Sequence, residues 1–122
     1  MFVKEIKNYD DFSNEADIIV TDGTYEVLCY CHPAEFYEKG STVQEILSLF
    51  AKDIMRISDK MYEVKKLEDD YYAYHLQGEV IKIDKPIIRI GGLEIVLDSP
   101  LAKDIKLGEF IEFDVYRLNC EI

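Results

Sequence analysis

"ADIIVTDGTYEVLCYC", residues 16–31, decides how the chain is read. Asp22-Gly23 falls between two runs rich in β-formers, the two-residue pattern that favours a type I′ hairpin turn. Pairing Thr21 with Thr24 then predicts Val20 opposite Tyr25, Ile18 opposite Val27 and Ala16 opposite Cys29. Side chains alternate across a strand, so these residues share one almost wholly apolar face with Cys31. Asp17, Ile19, Glu26, Leu28, Tyr30 and His32 occupy the other, mixed face.

The same run ends in "CYCHP", two cysteines and a histidine within four positions. Cys29, Cys31 and His32 are the candidate metal ligands of the chain. The register argues against them: both thiols point into the core and His32 points the opposite way. Convergence on one ion would require the strand to break at His32, which Pro33 permits. Only Cys120 and His75 could complete a tetrahedral zinc site, and no second Cys-x2-Cys or His-x3-His element exists. The expectation is therefore buried, free cysteines, no metal and no cofactor.

A second hairpin is written into "PIIRIGGLEIVLD", residues 86–98. Gly91-Gly92 can supply both positive-φ positions of a tight turn. Pairing Ile90 with Leu93 puts Ile88, Ile90, Leu93, Ile95 and Leu97 on one face. On the other face Arg89 falls opposite Glu94, a cross-strand charge pair. In "GEFIEFDVYRL", Ile111, Phe113 and Val115 alternate with Glu112 and Asp114, the pattern of a strand entered through a turn at Gly108. The long run "YYAYHLQGEVIKID" has its apolar phase at Tyr72, Tyr74 and Leu76, then at Ile81 and Ile83, so Gly78 reads as a bulge or barrel corner.

Between these β-rich parts lies "STVQEILSLFAKDI", residues 41–54. Thr42 and Glu45 match a capping box, and Val43, Ile46, Leu47, Phe50 and Ile54 follow a helical stripe. This predicts one short helix ending near Lys52, with residues 53–67 readable either as strands or as its continuation. The fold class is then mainly β, a β-rich α+β chain: a small curled antiparallel sheet or OB-like barrel with one short helix. The bulged long strand, the hairpin and the closing "GEFIEF" strand resemble an OB-type barrel in architecture, a likeness that transfers no function.

The 122 residues are the length of a single domain spanning 1–122, and 48% are hydrophobic, enough for one core. No apolar run approaches the roughly 18–20 residues of a membrane helix. The first residues, "MFVKEIKNYDDF", have no signal-peptide core, so a cytoplasmic location is expected. Fourteen basic against twenty-five acidic residues leave a net charge of −11. No basic cluster exceeds Lys65-Lys66, which argues against nucleic acid and anionic membranes as partners. The charge suits solubility or a basic protein partner.

Catalytic groups are sparse. The five serines sit in no Gly-x-Ser-x-Gly context, and His32 and His75 are the only imidazoles. Glu68-Asp69-Asp70 is the densest acidic cluster but reads as a solvated turn between strands. It runs directly into Tyr71, Tyr72 and Tyr74, part of a chain with nine tyrosines. Acids beside amphipathic rings suit a half-wet protein interface. The expectation is a non-catalytic, acidic protein–protein interaction module, in the class of inhibitors or immunity-type proteins that cover a basic partner. Its contact face is assigned to Glu68, Asp69, Asp70, Tyr71, Tyr72 and Tyr74. A small-ligand or carbohydrate-binding OB-like barrel is the alternative, and a metal-dependent enzyme the weakest reading.

Overall fold

The computed structural model describes residues 1–68 and 70–121, the side chain of Glu121 excepted. Its organising element is a bent two-stranded ribbon. Strands β4 (Glu45–Leu49) and β5 (Lys52–Ile57) run antiparallel to β11 (Arg117–Glu121) and β10 (Phe110–Val115), respectively. Both partners bend at the same level, at Phe50-Ala51 and at Tyr116, where the Tyr116 N–H donates to the Leu49 carbonyl at 3.0 Å. Either side of the bend takes different neighbours. β11 and β4 are flanked by β3 (Glu26–Cys31) and β9 (Leu93–Val96), and β10 by β7 (Tyr74–Lys82).

The remaining strands extend this frame. β1 (Phe2–Asp10) and β2 (Glu15–Thr21) continue the sheet beyond β3, while β8 (Ile87–Ile90) joins β9 to β7. The strand order is β1-β2-β3-β11-β4-β9-β8-β7-β10-β5, with β6 (Glu63–Lys66) paired to the first half of β7. The sheet curls until β3 meets β7: the Leu28 N–H donates to the Tyr74 hydroxyl at 2.8 Å. Ile18, Val20, Val27, Ile46, Leu76, Ile95, Phe113 and Leu118 fill the concave side almost without exposure. Each such side chain contributes about 1.5–3 kcal/mol of transfer free energy.

The predicted β character and the inward faces hold, but the details depart from expectation in four ways. The stretch at residues 41–54 contains no helix: Ile46 and Ser48 point inward, and Leu47 and Leu49 outward, in strand alternation. β4 lies between β11 and β9, so its backbone groups are paired on both sides, and that outweighs the local helical pattern. Secondly, the sheet is open rather than a barrel. Two parallel pairs, β3–β11 and β4–β9, also make it mixed rather than antiparallel.

Thirdly, the first hairpin pairs Thr21 with Glu26, Val20 with Val27, Ile18 with Cys29 and Ala16 with Cys31. Asp22 Oδ1 accepts the N–H groups of Thr24 and Tyr25, both at 2.7 Å, which widens the turn. Only Gly23 takes a positive φ there, whereas a type I′ turn needs two. A slip of two residues preserves every face. Fourthly, the inward phase of β7 runs unbroken through Gly78 to Val80, and the bulge falls between Val80 and Lys82. Gly78 serves close packing instead: a Cβ there would lie 2.4 Å from the Arg89 carbonyl oxygen. The Gly91-Gly92 hairpin has the predicted register, with one positive φ, at Gly91. Arg89, although opposite Glu94, places its guanidinium on Glu79 at 2.7 Å.

The two strands that end the sheet are both irregular. β1 has an extra residue at two places relative to β2, and Asn8 adopts φ 53°. β5 has one extra residue opposite Phe113, and Asp53 adopts φ 54°.

Candidate binding groove

The turn singled out for its acids and tyrosines connects β6 to β7, and its own backbone closes it. The Leu67 N–H donates to the Ala73 carbonyl at 3.0 Å. The Lys66 ammonium donates to the carbonyls of Leu67, Asp70 and Ala73, so one cation ties the loop together. Burial pulls the Lys66 ammonium below its ordinary value, with Asp70 opposing that shift. Asp70 Oδ1 accepts the Tyr72 N–H at 2.9 Å, a local turn lock.

The tyrosines then fasten this loop to β2. Tyr72 donates its hydroxyl to Asp17 Oδ1 at 2.6 Å, and Tyr71 donates to Asp17 Oδ2 at 3.2 Å. Asn8 adds an amide donor to Asp17 Oδ2 at 2.9 Å. Asp17 is only 5% exposed, so a carboxylate there requires such donors. Burial and the Asp17 carboxylate together hold the Tyr72 hydroxyl well above the usual phenol range. Tyr30 supports the same junction, donating to Glu15 at 2.7 Å while the Arg117 guanidinium stacks 4.2 Å from its ring centroid. Tyr74 points into the core.

The sequence-assigned contact residues thus divide. Tyr71 and Tyr72 bind their hydroxyls to Asp17, Tyr74 is buried, and Asp69 lies outside the described residues. Glu68 and Asp70 line a groove on the other side of the loop, with a volume of about 440 Å³. Leu67, Ala73, Val115, Phe50 and Tyr116 line it as well. Lys52 and Asp114 complete the lining. The lining therefore combines five apolar or aromatic residues with three acids and one lysine.

Phe50 and Tyr116 were not among the residues expected from sequence. Both belong to the bend of the ribbon, where their rings meet edge to face, 6.2 Å between centroids. Phe50 is 67% exposed and Tyr116 49%. Phe50 has φ 55°, a conformation that costs a bulky L-residue on the order of 1–3 kcal/mol. Asp98 holds it there: Oδ2 accepts the Phe50 N–H at 2.7 Å and Oδ1 the Ala51 N–H at 3.1 Å. Burial alone would raise the Asp98 carboxyl, but these N–H donors and the Ser48 hydroxyl outweigh it and lower the value below the ordinary one.

Elsewhere the chemistry is dispersed. Cys29, Cys31 and Cys120 are buried, with no disulfide among the described residues, whereas His32 is exposed, so the structure does not gather the candidate ligands. Among the described residues no group of three His, Cys, Asp or Glu could hold a metal ion. His75 lies half-buried between Asp114, 2.6 Å from Nδ1, and Glu112, 3.4 Å from Nε2. A broader open concavity near β5, about 900 Å³, has Arg56 on its wall, and that guanidinium is taken by Asp104 and Glu109. Among the described residues no helix is long and apolar enough to cross a membrane. No protein-family model, no characterised protein and no solved structure matches this chain.

Proposed function

We propose that this chain is a non-catalytic interaction module that recognises a basic protein partner, in the manner of a small acidic inhibitor or immunity-type protein. The observation that carries this reading is the groove: it is lined by apolar residues together with Glu68, Asp70 and Asp114, and bordered by a loop that Asp17 and Lys66 hold in place. A prearranged acidic surface binds without the ordering cost of a flexible one. The net charge of −11 extends that sign over the whole molecule and would speed encounter with a cation. The dispersal of thiols and imidazoles supports a role in binding rather than in bond-breaking.

A second reading, a site for a small organic ligand, is favoured by the groove volume, which lies in the range of about 300–1,000 Å³ common for ligand pockets. Selection from an unbiased library of displayed peptides on the immobilised chain separates the two. Enrichment of lysine and arginine, lost with added salt and with the Glu68→Gln/Asp70→Asn double variant, is the expected result. Enrichment indifferent to charge and salt would overturn the basic-partner reading.

A further inference from the structure

Three features of the bend converge on one question. Phe50 occupies a backbone conformation that bulky side chains rarely adopt. Asp98 supplies hydrogen bonds to both Phe50 and Ala51, so the conformation is built in and not a frayed end. Its result is an aromatic pair, Phe50 and Tyr116, raised into solvent beside an apolar groove. Folding gains nothing from leaving these rings uncovered, whereas a partner that covers them gains their buried area.

The charges say what kind of partner. Lys66 is turned onto the loop carbonyls, and its charge offsets part of that of Asp70. Lys52 is the single lysine of the lining, against Glu68, Asp70 and Asp114. Building on the basic-partner reading, we infer that the groove receives one apolar side chain of a partner protein's segment, flanked on that segment by lysine or arginine. The apolar group lies between the Phe50–Tyr116 pair and Leu67, over Val115. Its cationic neighbours meet Glu68 and Asp70. Aromatic edges at the groove also suit the stems of lysine and arginine, which cover apolar surface while their charges stay wet.

The test uses two fluorescein-labelled pentapeptides, two lysines on each side of either a leucine or a serine, followed by fluorescence anisotropy on the intact chain. The leucine probe should bind about tenfold or more tightly than the serine probe, as burial of one aliphatic side chain implies. In Phe50→Gly that preference should vanish through faster dissociation. Glycine accepts the left-handed backbone, so its melting temperature should hold or rise, which separates lost contact from lost fold. Tyr116→Ala should also erase the preference, and Glu68→Gln/Asp70→Asn should weaken both probes alike. Equal binding of the two probes, or a preference surviving in Phe50→Gly, would overturn the inference and leave the basic-partner reading standing. Failure of both probes to bind would overturn the two together.

Discussion

Ser48 and Asp98 exchange hydrogen bonds in both directions: the Ser48 hydroxyl donates to Asp98 Oδ1 and the Asp98 N–H donates to Ser48 Oγ, each at 2.9 Å. The pair joins the middle of β4 to the turn after β9, and the same carboxylate holds the bend at Phe50. Asp98→Ala should therefore lower stability by about 1–3 kcal/mol, the cost of orphaning several donors to a charged acceptor. A lower urea midpoint with unchanged slope is the expected signature. An unaltered midpoint would show that the bend does not depend on this carboxylate.

Acid should remove the same support in the wild-type chain. Besides Asp98, the Asp22 carboxyl lies below its ordinary value of 3.8: burial raises it, but N–H donors from Tyr25, Thr24 and Gly92 outweigh this. For both groups the unfolded chain binds the proton more readily. Their contribution is complete above about pH 4 and is lost as pH falls through the depressed native values. Urea midpoints followed from about pH 6 to about pH 2 should fall more steeply for wild type than for Asp98→Asn.

The thiols offer an independent check of the register. Burial first, then hydrogen bonding to Cys120, pushes the Cys29 thiol far above its ordinary value. A thiol that cannot ionise is a poor nucleophile. Ellman's reagent at neutral pH should leave all three cysteines unreacted until denaturant is added. Rapid modification of Cys29 in the folded chain would contradict the inward face of β3.

The loop anchor can be tested apart from the groove. Tyr72→Phe keeps the ring but leaves the buried Asp17 without its shortest donor, at a cost of about 1–3 kcal/mol. Tyr71→Phe removes a longer contact from a ring that is half exposed and should cost less. Amide exchange in residues 70–73 should accelerate in Tyr72→Phe before the core strands respond. Uniform acceleration would mean that Asp17 anchors the whole sheet rather than the loop.

Some of this architecture was legible in the sequence because it is local. Gly91-Gly92 and the Arg89–Glu94 opposition lie within a few residues, and they set the β8–β9 register correctly. In β2–β3 the Asp22-Gly23 pattern implies a turn two residues tighter than the observed one, yet Ile18, Val20, Val27 and Cys29 still face inward because the strand period is two. Residues 41–54 misled for a physical reason: Ile46 and Leu47 fit a helical stripe, while the alternation that mattered involves Ser48, a polar residue whose partner is fifty positions away. Propensity within a window cannot register strands from the far end of the chain.

The groove was half legible. Density of acid around residues 68–70 marks a loop that lines the groove, and Asp17 and Lys66 hold that loop in place. Phe50 and Tyr116 are sixty-six positions apart and carry no mutual signal in sequence. Composition does not show that the hydroxyls of Tyr71 and Tyr72 serve the junction with β2, or that the hydroxyl of Tyr74 accepts the Leu28 N–H of β3.

Asn8 and Asp53, the left-handed residues of the two outermost strands, set how copies of this molecule behave in a crowd. A growing filament needs a straight, hydrogen-bonding border onto which the next molecule can be laid. Each of these residues throws the backbone out of step partway along its border, so an incoming strand can keep register for only a few residues. On these two borders an irregular backbone stands in for the closure that a barrel would use for the same purpose.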